Sequence, residues 1–180
     1  MNTKICHITS VHSRRDVRIF LKECSFLAQH GYDVHLIVAD GKGDELINEV
    51  HVHDVGFTTN RLARILKSAY RAYKKALEID AAIYHFHDPE LIPYGNKLLK
   101  KGKKVIYDVH EDVPRQILAK YYIPAYLRRM ISRLFESYEN RIASKFTVIV
   151  AATAFIRERF IKINYNCIDI NNYPILKEFT

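Results

Sequence analysis

Ala81-Ala82-Ile83-Tyr84-His85-Phe86-His87-Asp88-Pro89-Glu90-Leu91 is the stretch that decides the fold. Ala81 to Phe86 is short, apolar and aromatic, as a buried strand requires. Asp88-Pro89-Glu90 then reads as a helix start, with a carboxylate able to cap free amides and proline at the first helical position. The helical pattern runs to about Lys101 and stops at Gly102, and Lys104 to Val109 is again a strand. Strand, helix and strand joined by short turns form a crossover unit, the building block of a parallel sheet covered on both faces.

The same alternation extends in both directions. Upstream, Lys4 to Val11 reads as a buried strand. Asp16 caps a helix whose apolar positions are Val17, Phe20, Leu21, Cys24, Leu27 and Ala28, and Gly31 ends it. Asp33 to Ala39 is a strand, residues 40–44 a loop, Val50 to Val55 a strand, and Asn60 to Glu78 a basic amphipathic helix. Downstream, Pro114 and Pro124 punctuate a mostly helical region from Val113 to Ala143. Phe146 to Ala151 is a strand, Thr153 to Lys162 a helix and Cys167 to Ile170 a last strand. The expected fold is therefore α/β: a doubly wound, mostly parallel sheet of about seven strands, with the common doubly wound strand order as default.

Composition sets outer bounds. The chain's 180 residues suit one domain, and 48% hydrophobic with 27% charged residues describes a globular core, not a disordered chain. No run reaches the roughly 18 apolar residues of a membrane span, and the first residues lack a signal-peptide pattern. Cys6, Cys24 and Cys167 are odd in number and widely spaced, which points away from a disulfide framework and towards a reducing, cytoplasmic setting. A net charge of +8 is compatible with nucleic acid, anionic lipid or phosphorylated small molecules.

Ligands of open parallel sheets bind where strands end and helices begin. Three such turns carry ionisable residues: His12-Ser13-Arg14-Arg15-Asp16, then His85 to Glu90, then Asp108-Val109-His110-Glu111-Asp112. No G-x-G-x-x-G follows the first strand, which disfavours a nicotinamide-dependent dehydrogenase or epimerase. Phosphate-loop and nucleophile-elbow motifs are absent too. His85 and His87 share a face, as do His51 and His53, but a metal site needs a third ligand and a second shell, so no metal is expected. His51 and His53 read as an exposed strand face, and His85 fits a buried structural imidazole as well as a functional one. His110 closes an apolar strand and precedes two acids; an imidazole there exchanges protons near neutrality and can donate to a hydroxyl or phosphate oxygen. Arg14, Arg15 and Arg18 could meet a diphosphate or an acidic acceptor.

Two basic faces remain. The helix at 60–78 carries Arg61, Arg64, Lys67, Arg71, Lys74 and Lys75 beside an apolar stripe, compatible with an anionic membrane surface or with ordinary packing on the sheet. Lys120, Tyr121, Tyr122, Tyr126, Arg128, Arg129 and Arg133 form a second basic, aromatic patch.

The residues resemble the amino-terminal domain of retaining glycosyltransferases of family 4, which have the GT-B architecture of two facing Rossmann-like domains. The resemblance is carried by Lys4 to Ser10 leading to His12, by Asp16 to Glu23, and by the turn from Leu27 to Val34. It is strongest at His85-Phe86-His87-Asp88-Pro89-Glu90-Leu91 and Val105-Ile106-Tyr107-Asp108-Val109-His110-Glu111. It implies transfer of a sugar from a nucleotide-sugar to a saccharide or lipid-linked acceptor, with retention and without metal or other cofactor. It implies His110 beside the donor sugar. His12, Arg14, Arg15, Asp16, His85, His87, Asp88, Glu90 and Glu111 are then the candidate acceptor- or donor-binding residues. Ser13-Arg14-Arg15 stands where many relatives carry paired glycines, so backbone contacts to the diphosphate are either replaced by arginine side chains or do not occur.

On that reading residues 1–170 are the acceptor-side domain and 171–180 begin an interdomain linker. The donor-binding carboxyl-terminal domain is absent, and the fragment alone is inactive. Peripheral membrane contact through the helix at 60–78 is compatible with this reading. No nucleic-acid signature accompanies the charge. The alternative is a stand-alone binding module for an acidic or lipid-linked partner, without catalysis.

Overall fold

The structure, a computed structural model, describes residues 2–60 and 63–174. Its strands are β1 (Lys4–Ile8), β2 (Asp33–Val38), β3 (Glu45–Ile47), β4 (Val50–Asp54), β5 (Ile83–Phe86), β6 (Lys104–Val109), β7 (Val148–Ala151) and β8 (Cys167–Asp169). They form one sheet in the order β3-β4-β2-β1-β5-β6-β7-β8. Every pairing is parallel except β3 with β4. The seven parallel strands follow the default doubly wound order. The eighth strand, β3, is an addition to the expected seven. It turns back on β4 through Asn48 and Glu49, with φ of 50° and 62°, the backbone of a two-residue hairpin turn.

Helix α1 comprises Val17–Cys24 and Ser25–Gln29. Helix α2 comprises Arg64–Ser68 and Ala69–Ile79, and a single turn at Pro89–Leu91 leads into α3 (Ile92–Lys100). Then come α4 (Val113–Ala119), α5 (Ala125–Ala143) and α6 (Ala154–Phe160). Of the expected basic helix, Arg61 and Leu62 lie outside the described residues. Its buried positions Ala69, Ala72, Ala76 and Ile79 pack on the sheet.

The sheet's two faces differ. One buries Cys6, Ile8, Tyr84, Phe86 and Tyr107 in the larger core, beneath α2 and α3. The other is apolar on β2 and β4, where Val34, Leu36 and Val52 meet Ile19, Phe20 and Cys24 of α1. Across β1, β5 and β6 that second face is polar, with His7, His85, His87 and Asp108 all buried. The register sets His7 beside His85.

The first turns of α1 are wound wider than an α-helix: Leu21 N–H reaches back five residues to Asp16 O at 3.2 Å. Closing bonds at five residues instead of four brings residues five apart into line. Arg18 and Glu23 accordingly sit together, Nε to Oε1 3.3 Å, both over the polar half of the face.

Candidate functional site

β1 and β5 are neighbours from which the chain departs in opposite directions, so a crevice opens at their carboxyl ends. His12, His87, Asp88, Glu90, His110 and Glu111 line one cavity of about 310 Å³ there, with Tyr107 and Val109 as apolar floor. All three ionisable turns therefore contribute to one rim.

Asp88 holds the rim together. Its side chain does not cap the following helix, contrary to the sequence expectation. Instead Oδ2 accepts from Thr9 Oγ1 at 2.9 Å, Ser10 N at 2.5 Å and Ser10 Oγ at 3.3 Å. Ser10 Oγ also donates to Glu90 Oε1 at 3.1 Å. The turns after β1 and β5 are thus tied through one carboxylate. Asp16, by contrast, does cap α1, accepting from Arg18 N and Ile19 N. Its other oxygen lies 3.4 Å from His12 Nδ1, and His12 Nε2 lies 3.5 Å from Asp88 Oδ1.

Behind the rim runs a chain of imidazoles. His7 Nδ1 is 3.1 Å from His87 Nε2, and His87 Nδ1 is 3.2 Å from His110 Nε2. Asp108 Oδ2 sits 3.1 Å from His110 Nε2 and 3.3 Å from His87 Nδ1. Arg18 clamps Asp108 with two bonds, Nε to Oδ2 at 3.0 Å and a terminal nitrogen to Oδ1 at 2.9 Å, and its third arm donates to Ile170 O at 2.7 Å. Burial alone would raise the Asp108 carboxyl, but hydrogen bonds from His110 and His87 hold it well below the carboxylate range. Burial keeps His7 and His87 below their ordinary values and pushes His85 down to about 3, so all three are neutral at pH 7. Burial and the nearby Asp108 charge push Glu23 up to about 9.

The remaining candidates lie elsewhere. His85 is buried under α1, beside His7, and does not border the cavity. Arg14 faces the opposite side of the first turn, where it donates to both oxygens of Asp40 at 2.8 and 2.7 Å, to Glu45 Oε2 at 3.0 Å and to Gly43 O at 2.9 Å. That guanidinium fastens the first turn to the loop between β2 and β3, away from the crevice. Arg15 is exposed on the same outer edge, in a groove with Ser13 and Lys42. Neither arginine stands in for a glycine turn at the crevice. Sequence reasoning gave no role to His7, Glu23 or Asp108. The pairing of His7 with His85 follows from strand order, and Glu23 reaches the same face from α1.

A second hollow of about 440 Å³, lined by Arg18, His110, Thr153, Asn171 and Tyr173, adjoins the first. His110 stands at the border of both. Imidazoles and carboxylates above an apolar floor suit a ligand with hydroxyls on its edge and C–H groups on its faces.

The doubly wound α/β domain, with its polar cleft at the switch point, matches one half of a GT-B architecture. Residues 17–170 match the sequence pattern of Glycosyltransferase Family 4, and the chain belongs to that family. Among solved structures it is similar to sucrose-phosphate synthase from Thermosynechococcus elongatus, with TM-score 0.70, 12% identity, and coverage of 98% of this chain and 49% of that one. The catalytic domain of starch synthase IV from Arabidopsis thaliana, bound to ADP and acarbose, gives 0.61, 10%, 96% and 52%. The α,α-trehalose 6-phosphate synthase of Burkholderia multivorans gives 0.55, 13%, 90% and 42%. The chain thus spans about half the length of these structures. No curated protein matches it in sequence.

Proposed function

We propose that this chain is the acceptor-side, amino-terminal half of a retaining glycosyltransferase that moves a sugar from a nucleotide-sugar to a saccharide or lipid-linked acceptor. The reading rests on one observation above others: His12, His87, Asp88 and His110 come from three separate strand ends and border a single cavity. Starch synthase IV carries ADP and acarbose, a nucleotide and a saccharide, in a fold of which this chain resembles half. Residues 1–170 form the acceptor domain, 171–180 lead into the linker, and a second domain supplies the nucleotide pocket.

In this scheme the acceptor lies in the cavity between the Asp88 and His110 turns. His110, between the two hollows, faces the donor sugar. Charge builds on the departing diphosphate as the sugar becomes oxocarbenium-like, and oriented donors at that point lower the barrier. No metal ion takes part in the transfer; basic groups of the other half meet the diphosphate. Asp108 and Arg18 fix the His110 ring. Closure of the two halves excludes water and aligns the acceptor hydroxyl. A lipid-linked acceptor is favoured by the exposed Leu66, Tyr70, Tyr121 and Tyr122 beside basic residues, and the protein works at the cytoplasmic face of a membrane.

The division of labour is tested by assaying release and transfer of sugar from a panel of nucleotide-sugars. The 180-residue chain alone should give neither. Turnover by the isolated chain would refute the assignment of the donor pocket to the other half. Flotation with anionic vesicles checks the membrane contact: the chain should rise with them at low salt and stay behind with neutral ones.

A further inference from the structure

The polar face beneath α1 gathers ligating groups of which the transfer scheme uses only His87. His7 on β1, His85 and His87 at the end of β5 and Glu23 on α1 each offer one nitrogen or oxygen, and these four atoms lie within 4.8 Å of one another. His7 Nδ1 is 3.1 Å from His87 Nε2. Glu23 Oε2 is 3.6 Å from His7 Nδ1, 3.8 Å from His87 Nε2 and 3.9 Å from His85 Nδ1. A tetrahedral ion with bonds of about 2.0–2.1 Å separates its ligand atoms by roughly 3.3–3.4 Å. Four of the six spacings, 3.1–3.9 Å, bracket that value, and the other two lie within 4.8 Å. Glu23 Oε2 is also buried and accepts no hydrogen bond, although three imidazoles surround it.

We infer that His7, Glu23, His85 and His87 form a buried, four-ligand site for one divalent cation of the zinc class, structural in role. Three imidazoles and one carboxylate suit zinc and its first-row neighbours, not magnesium or calcium, which take oxygen shells. Four protein ligands leave no open position for substrate, as in structural zinc sites. The ion would lie behind the cavity, whose wall includes His87 but not His7, Glu23 or His85.

The second shell is in place for His87, whereas the outer nitrogens of His7 and His85 are buried without a hydrogen-bond partner. Metal-bound histidines usually donate their other N–H to a carboxylate. His87 Nδ1 faces Asp108 Oδ2 at 3.3 Å, and Arg18 holds Asp108 from behind. A cation on His87 Nε2 places the ring proton on Nδ1, towards Asp108. His110 Nε2, 3.1 Å from the same oxygen, lies 3.2 Å from that His87 nitrogen and so stands within reach of the same proton. The ion would thereby set the tautomer of a residue on the rim. This departs from the metal-free expectation of the sequence, yet it leaves the transfer chemistry itself without a metal.

The test uses the 180-residue chain without a polyhistidine tag, dialysed against chelator and then given Zn²⁺ or Co²⁺. Wild type should retain about one equivalent per chain, with the intense visible absorption of tetrahedral Co²⁺. Metal-edge X-ray absorption should report three imidazoles and one oxygen. Glu23→Gln and His7→Asn should weaken retention at least about tenfold. His53→Ala, in the separate surface group of His35, His51 and His53, should leave it unchanged. Failure to retain metal overturns the proposal. So does retention lost only in His53→Ala, or an absorption spectrum showing fewer than three imidazoles. The wild-type spectrum decides even if a variant does not fold, and none of these readouts depends on transferase activity.

Discussion

Asp88 Oδ2 takes three hydrogen bonds from Thr9 and Ser10, and through them the turn after β1 is held against the turn after β5. Asp88→Ala leaves those donors without their acceptor in a largely buried place. The chain should lose about 1.5–3 kcal/mol of stability, measurable as a lower denaturant midpoint with an unchanged slope. A merely solvated Asp88 would give no shift. The polar turns were legible residue by residue: His12, Asp16, His87, Asp88, Glu90, His110 and Glu111 all reach one edge of the crevice region. Arg14 was not, because its partner Asp40 lies 26 residues on and no local pattern links them. A capping carboxylate and a carboxylate turned to a neighbouring strand also look alike in sequence, so the true role of Asp88 needed the fold.

At the scale of elements, α1 depends on charge as much as on packing. Arg18 and Asp108 are a buried bidentate pair between helix and sheet. Arg18→Met strands the buried carboxylate and should cost about 3–5 kcal/mol. The Arg14–Asp40 pair ties the first turn to the loop after β2. The hydrogen bond from Arg14 holds the Asp40 carboxyl below its ordinary value. Its stabilisation is therefore complete above the unfolded-state value near 4 and fades as pH falls through the lower folded value. Acid titration of stability should show a smaller loss below about pH 4 in Asp40→Asn than in wild type. Helix α3 meets the sheet at Gly95, where a Cβ would stand 2.6 Å from Phe86 Cε1. Gly95→Ala gains helix propensity but overpacks the core, and should destabilise by about 1–3 kcal/mol in thermal melts. Most elements could be read from the chain because periodicity and punctuation agree. β3 could not: it has three residues, and Asn-Glu is a weak signal for a turn with two positive φ angles. Glu23 was hidden for another reason: its neighbours His7 and His85 come from strands distant in sequence, and no local pattern marks the contact.

For the whole molecule, the order of the parallel strands places β1, β5 and β6 side by side, and that adjacency turns three separate motifs into one rim. That rim borders a cavity at the carboxyl ends of the strands, which is the part of the molecule on which the proposed function rests. His110 stands at the border of the two hollows, so the account depends on it most. The decisive measurement is the transfer rate of the two-domain protein with His110 or with His110→Ala, compared under saturating nucleotide-sugar and with folding checked by circular dichroism. With the fold intact, kcat should fall roughly 10²–10³-fold in the variant. Unchanged kcat in the folded variant would contradict the role given to His110.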